Sequence, residues 1–420
     1  MSLDLLAPTP ASAAARAASA TAAEPRRDTA TSWRERTAAI AGLDGPVAAI
    51  DIDALRYNAL DLVVRSSGVP IRVASKSIRV REVLDAALAL PGYRGILAFT
   101  LPEALWLAET HDDIVLGYPT VDRAALAALA ADAQAASRIT LMVDDLAQLD
   151  VVDAVAAPAS RAEIRVAIHA DASWRAPVLG HIGVRRSPVH DAAEVARLAR
   201  GIAHRPGFRL VGLMMYEAQI AGQPDDTGSG DAVIRWMQRR SGQELLDRRG
   251  AIVAALRDIA PLEFVNGGGT GSLESTASDL AVTETTAGSG LLAGHLFDGY
   301  RAFTPAPAAA FALDVVRKPT PDIATVLGGG WIASGPAVAS RQPLPVWPQG
   351  LHTLGREGAG EVQTPLQGEA ARGLRVGDKV WFRHAKSGEL AERVDRYHLT
   401  SGDRLVGEAA TYRGEGKAFL

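Results

Sequence analysis

Lys76 stands directly after the apolar run Ile71-Arg72-Val73-Ala74-Ser75, and a helical segment follows it. A strand that ends in a lysine fixes the amine at the mouth of a sheet or barrel. Its surroundings can then lower the amine's pKa until it attacks a carbonyl. Schiff-base chemistry and an ordinary strand-end lysine both suit that position. The second chemical feature is Asn266-Gly267-Gly268-Gly269-Thr270-Gly271-Ser272, which follows Leu262-Glu263-Phe264-Val265. Consecutive glycines let backbone N–H groups approach an anion closely, and Thr270 and Ser272 add hydroxyl donors. A phosphate cradle and a plain tight turn both fit. The run lacks the Gly-Lys-Ser/Thr of a P-loop and the spacing of a dinucleotide fingerprint. A similar run, Gly328-Gly329-Gly330, reads as a turn.

The elements that must position these groups alternate. Val47–Ile52 reads as a strand, and Asp53 as the cap of a helix reaching Ser66. Eight short apolar runs follow: Ile71–Ala74, Gly95–Phe99, Asp113–Leu116, Ile139–Val143, Ile164–His169, Leu210–Met215, Leu262–Val265 and Leu280–Thr283. Helical segments such as Arg79–Leu90, Val121–Ala136 and Asp191–His204 separate most of them. Strand and helix in alternation indicate an α/β fold with parallel strands, and eight units fit a (β/α)8 TIM-type barrel.

In such a barrel, catalytic groups lie just past the C-terminal strand ends. Those positions hold Lys76, Asp144, His169 with Asp171, Tyr216 with Glu217, Asn266 through Ser272, and Gly288-Ser289-Gly290. Structural readings stand beside the functional ones. Asp144-Asp145 suits a helix N-cap, His169 a core histidine, and Tyr216 simple packing. Gly222–Gly230 is expected to form a mobile loop at the barrel mouth. From about Pro305 the texture turns to Gly, Pro and alternating patterns, and Gly377-Asp378 before Lys379–His384 reads as turn then strand. The expected domains are a barrel over 45–304 and a C-terminal β domain over 305–420. The strand at 47–52 is a candidate to join the second.

Composition narrows the function classes. The chain has 420 residues, 48% hydrophobic and 22% charged, with a formal net charge of -4. Lysine and arginine are scattered rather than massed, so no nucleic-acid partner is expected. The absence of cysteine excludes disulfides, zinc thiolates, iron–sulfur clusters and cysteine nucleophiles. No apolar stretch approaches the ~20 residues of a membrane span. Residues 1–28 are rich in Ala, Pro, Ser and Thr and read as a disordered tail without a secretory h-region. A cytoplasmic location is the default expectation.

A reactive lysine on an early strand and a phosphate cradle on a late one call for one ligand bearing an aldehyde and a phosphate. Pyridoxal 5′-phosphate (PLP) has both. The chain resembles fold-type III PLP enzymes of the alanine racemase N-terminal-domain superfamily. Within it, the D-threonine aldolase and D-serine dehydratase group is most alike, with the related proteins described as amino acid deaminase/aldolase. The segments that carry the likeness are Ala48–Leu55, Arg72-Val73-Ala74-Ser75-Lys76-Ser77, Gly212-Leu213-Met214-Met215-Tyr216-Glu217, Gly267–Ser272, and Gly288-Ser289 followed by Leu296-Phe297-Asp298.

The resemblance implies that Lys76 holds PLP as a Schiff base and acts as a base at the substrate Cα. It implies that Gly268, Gly269, Thr270, Gly271 and Ser289 bind the phosphate, and that Tyr216 borders the cofactor. Arg175 would hold a substrate carboxylate, with Arg185 and Arg186 as rivals. Gly180-His181-Ile182-Gly183 has histidine where racemases carry their arginine. The resembling lyases also carry a His-x-Cys or His-x-Asp metal pair. Here the stretch is Arg383-His384-Ala385-Lys386, and a lysine ammonium cannot ligate a divalent cation. Either Lys386 replaces the metal's charge and polarises a substrate hydroxyl, or His384 and Lys386 have no catalytic role.

The activity implied is a lyase acting on a small 3-hydroxy amino acid, with the D-enantiomer expected, by retro-aldol cleavage or β-elimination. A homodimer is implied as well. A racemase on the same fold would need a second base, for which Tyr397 and Tyr412 are candidates. A non-catalytic PLP carrier and a sugar-phosphate aldolase are the other readings.

Overall fold

A computed structural model describes residues 3–5 and 28–420. Nearly all of the segment read as a disordered tail lies outside the described residues. Two compact units divide the chain. One comprises Arg65–Lys76, Pro91–Ala287 and Phe419–Leu420; the other comprises the described residues up to Val64, Ser77–Leu90 and Gly288–Ala418.

In the first unit eight parallel strands close a barrel. Their order is Ile71–Ala74, Tyr93–Ala98, Ile114–Leu116, Ile139–Val143, Ile164–His169, Phe208–Met215, Phe264–Gly267 and Glu284–Ala287. The last pairs back to the first, with Thr285 opposite Ile71. Ile139–Val143 is buried along its whole length. A barrel strand is covered on both faces, so its sequence runs apolar without alternation. Val115, Met142, Ala167, Val211, Met214 and Phe264 form a core cluster. Gly212 leaves room for it, because a Cβ there would come 2.3 Å from the Phe264 ring. Buried Arg72 donates to Glu284 at 2.7 Å and to Asp113 at 2.8 Å. A guanidinium inside a fold is tolerable only when paired in this way.

Three of the differences from the sequence reading have a clear local cause. The eighth strand is Glu284–Ala287, not Leu280–Thr283: Leu280 is fully exposed, and Asp279 accepts from the Ala281 amide at 2.9 Å, which makes a turn. Two helices, Arg123–Ala131 and Ala133–Arg138, replace the single Val121–Ala136 segment, because Asp132 caps the second. At the first helix the cap is Asp51, whose Oδ1 accepts from the Asp53 and Ala54 amides at 3.0 Å each. Asp53 itself lies in the first turn of Ile52–Arg65.

The second unit holds a nine-stranded sheet. Val47–Asp51 runs antiparallel to Ala309–Thr320 and parallel to Arg396–Ser401. Lys379–Arg383 pairs antiparallel with Ala309–Thr320, placing Trp381 opposite Ala312. Trp33, Ile40, Val47, Ala49, Ala310, Ala312 and Trp381 form its core cluster.

Candidate active site

Lys76 lies in a short 3-10 turn, Ser75–Ser77, immediately after the first barrel strand. Its Nζ donates to the Tyr118 hydroxyl at 2.7 Å and lies 5.3 Å from the centroid of that ring. Tyr118 follows the strand Ile114–Leu116. Tyr216 stands one residue past Phe208–Met215. Its edge reaches solvent, but packing around the ring pushes the hydroxyl up to about 12; desolvation is the main cause, and Arg186 opposes it. His169 ends its strand and is held down to about 4, chiefly by burial and then by the Arg186 charge. It is a neutral imidazole at physiological pH. Asp144 is structural: it accepts from Gln148 Nε2 at 2.6 Å, while Asp145 caps the helix Leu146–Val155.

The glycine run continues the strand Phe264–Gly267 and turns at Gly268, where φ is +80°. A Cβ on Gly268 would come 2.9 Å from Thr276 Oγ1, and one on Gly269 would come 3.2 Å from the Tyr216 ring. Glu217 supports the turn from within. Its carboxylate accepts from the Gly268 amide at 3.1 Å and from the Thr276 hydroxyl, and it pairs with Arg249 at 3.1 Å. Arg249 also donates to Asp279 at 2.7 Å. The Ser272 hydroxyl accepts from the Gly269 amide at 3.2 Å and donates to Glu217 at 3.5 Å, so it faces this network. Arg65 donates to the Thr270 carbonyl at 2.6 Å and brings a guanidinium behind the turn.

Beside Tyr216 opens a cleft of about 610 Å³ lined by Asp171, Arg175, His181, Arg185 and Arg186 among others. Arg175 and His181 face each other across a hairpin, Trp174–Ala176 with Gly180–Ile182. Arg175 approaches Asp171 at 3.6 Å, and Asp171 accepts from the Ser173 hydroxyl at 2.6 Å. The Arg186 guanidinium lies 5.9 Å from the Tyr216 ring centroid. Gly222–Gly230 links the helices Ala218–Ala221 and Asp231–Arg257.

The remaining candidates belong to the other unit. The Ser289 carbonyl accepts from the Ser387 hydroxyl at 2.8 Å. His384 is buried, its Nε2 lies 3.4 Å from Ser387 Oγ, and desolvation and the Arg383 charge hold it down to about 3. Lys386 is exposed and donates to Ser334 Oγ at 3.3 Å. Tyr397 is buried with its hydroxyl pKa raised by desolvation, and Tyr412 is buried too.

Residues 50–256 match the family model for the alanine racemase N-terminal domain. That stretch, just under half of the chain, is similar to the alanine racemase N-terminal domain. Proteins similar to it agree. A D-threonine aldolase from Arthrobacter sp is 28% identical over 297 residues, covering 67% of this chain and 71% of that protein. The solved structure of a D-threonine aldolase from Filomicrobium marinum superposes with a TM-score of 0.73 at 21% identity, covering 90% of this chain and 96% of that one. A D-threo-3-hydroxyaspartate dehydratase from Delftia sp. HT23 gives 0.68 at 21% identity, covering 89% and 98%. Enzymes of the alanine racemase type depend on PLP.

The barrel places beside Lys76 one residue that sequence reasoning missed. Tyr118 lies two positions past a barrel strand, so the strand-end rule that selected Lys76 would have found it. The barrel's residues fit a phosphorylated aldehyde: an amine at a strand end and a glycine turn that a Cβ would crowd. The second unit's residues do not fit the metal pair. Lys386 is a cation, and no group of three or more His, Cys, Asp or Glu side chains gathers for a metal among the described residues. Nor is any helix among them long and apolar enough to cross a membrane.

Proposed function

We propose that the chain is a PLP-dependent lyase that cleaves a small 3-hydroxy amino acid of D-configuration. The observation that carries this reading is the Lys76 ammonium, held by Tyr118 at 2.7 Å, in the same unit as the glycine turn beside Tyr216. The names of the similar enzymes support the substrate class and its configuration.

Lys76 would carry the cofactor, and Thr270 and Gly271 would take the phosphate. The Gly268 and Gly269 amides shape that turn, since Glu217 and Ser272 engage them. When bound, PLP supplies a sink for the negative charge that develops at the substrate Cα. Tyr216 would border the ring. Arg175, or Arg186 beside Tyr216, would clamp the substrate carboxylate by paired N–H donors. The Lys76 amine would move the proton, and the Tyr118 hydroxyl would orient that amine. Loss of the 3-hydroxyl proton with breakage of Cα–Cβ, followed by return of a proton to Cα, releases glycine and an aldehyde. Loss of the Cα proton and of the hydroxyl as water leaves an enamine, which tautomerises and is hydrolysed by water to ammonia and a keto acid. Ser289, His384 and Lys386 are the other unit's candidates, the Lys386 cation standing where the resembling lyases carry a metal ligand. No step runs through a metal.

The test is incubation of PLP-loaded protein with D- and L-threonine, serine and alanine. Acetaldehyde or a keto acid from the D-hydroxy substrates is the expected result. Interconversion of alanine enantiomers alone would make the protein a racemase. No turnover of any amino acid would make it a PLP carrier.

A further inference from the structure

We infer that Arg248 and Arg249, consecutive on the helix Asp231–Arg257, are positioning residues for opposite halves of the site: Arg248 for the substrate cleft and Arg249 for the cofactor turn. This rests on the lyase reading above. Consecutive helix residues project about 100° apart, so one turn of helix can reach two segments distant in sequence. Arg248 donates to the Asp171 carbonyl at 2.6 Å, the Ser173 carbonyl at 2.8 Å and the His190 carbonyl at 3.1 Å. Glu244, one helical turn earlier, accepts from its Nε at 2.7 Å and fixes the fork. Arg249 is turned the other way. It donates to Asp279 at 2.7 Å, to Glu217 at 3.1 Å and to the Met215 carbonyl at 3.3 Å, and Glu217 accepts from the Gly268 amide.

Asp171–Ser173 is irregular chain between the strand Ile164–His169 and the hairpin that begins at Trp174. Both end residues are buried, and a buried carbonyl outside a sheet ladder needs another donor. A guanidinium offers five N–H donors in a rigid fork and serves three carbonyls at once; an ammonium on a flexible stem does not hold them in one geometry. The same helix grips this segment at two further points. Trp236 meets Trp174 edge to face at 5.9 Å, and Ser241 accepts at 2.9 Å from Gln219, which also donates to the Ala172 carbonyl at 2.7 Å. Asp171 and Arg175 face each other in the cleft. Arg248 therefore sets the direction of Arg175 through the backbone it holds, as Arg249 sets the glycine turn through Glu217.

The experiment compares Arg248→Lys and Arg249→Lys, which keep the charge and change the fork. Three quantities are read: KM and kcat on D-threonine and D-serine with PLP-loaded protein, the Kd for PLP by absorbance titration, and amide hydrogen exchange by mass spectrometry. Arg248→Lys should raise KM about tenfold, the worth of one charge-assisted contact, while the PLP Kd stays within about twofold. Exchange should quicken over residues 171–187 and not over 266–272. Arg249→Lys should do the reverse: the PLP Kd rises about tenfold and exchange quickens over 266–272. Arg248→Met, with no donor left, should exceed Arg248→Lys in KM and in exchange. An unchanged KM in Arg248→Lys, or KM and PLP Kd rising together in both variants, overturns the inference while leaving the lyase reading intact. If the wild type turns over no amino acid, the lyase reading fails. Exchange and PLP Kd then decide the inference alone: separate patterns in the two variants uphold it, and a shared pattern overturns it.

Discussion

Both units contain a lysine just past a strand and a run of three glycines, and only one pair is surrounded for chemistry. In the barrel unit, Lys76 meets the Tyr118 hydroxyl, and the glycine turn sits between Tyr216 and the buried Glu217–Arg249 pair. In the β unit, Lys386 meets Ser334, and Gly328 is tied to backbone and to Thr364, whose hydroxyl donates to its carbonyl at 2.6 Å. The turns are alike in strain: φ is +80° at Gly268 and +111° at Gly329, and a Cβ would meet a threonine hydroxyl at 2.9 Å and 2.8 Å. Each turn has an aromatic neighbour, Tyr216 in one and Trp331 in the other; what differs is the buried Glu217–Arg249 ion pair beneath the barrel turn. A motif becomes a candidate site through those neighbours, not through its own letters.

The comparison can be broken most sharply at the lysines. Lys76→Ala should abolish the long-wavelength absorbance of bound PLP and lower turnover by at least roughly 100-fold, the scale of losing a positioned acid–base group. Lys386→Met should keep that absorbance and lose turnover only. Loss of the absorbance in Lys386→Met would reverse the assignment. The glycines come next. Gly268→Ala and Gly329→Ala each force an L-residue into left-handed backbone at a cost of about 1–2 kcal/mol. Both should lower Tm, but only Gly268→Ala should raise the Kd for PLP, read by absorbance titration.

Glu217→Gln sharpens the comparison further. It removes the charge that holds the Gly268 amide and Arg249, and PLP affinity should fall by roughly tenfold, the worth of one charge-assisted contact. A tighter Kd would mean that Glu217 repels the phosphate and does not organise the turn. The smallest effect concerns pH. His169 in the barrel unit and His384 in the β unit are held to about 4 and about 3, against 6.5 unfolded. The unfolded chain therefore binds protons first as pH falls, and stability present above pH 6.5 is lost towards pH 4 and 3. His384→Asn should flatten the dependence of Tm on pH over that range. An unchanged slope would show that the ring is not buried neutral.

Much of this was legible in the sequence because barrel strands are covered on both faces. Their short apolar runs could be counted, and Lys76 and the glycine turn followed from the strand ends. Leu280–Thr283 misled because an apolar leucine can sit fully exposed in a turn. Asp53 misled because the neighbouring Asp51 has the same capping chemistry. Glu217 could be named, but its pairing with Arg249, and that of Arg249 with Asp279, was out of reach: the partners lie 32 and 30 positions apart, and no local pattern encodes it. The arginines of the cleft could be named as rivals, but their convergence beside Tyr216 depends on the hairpin.

The central claim is that Lys76 carries the cofactor. Borohydride reduction of the PLP-loaded protein, followed by peptide mass mapping, tests it most directly. The account predicts a phosphopyridoxyl group on the peptide containing Lys76 and none in Lys76→Ala. A label on Lys386 or another lysine, or no label on a protein that retains PLP, would contradict it.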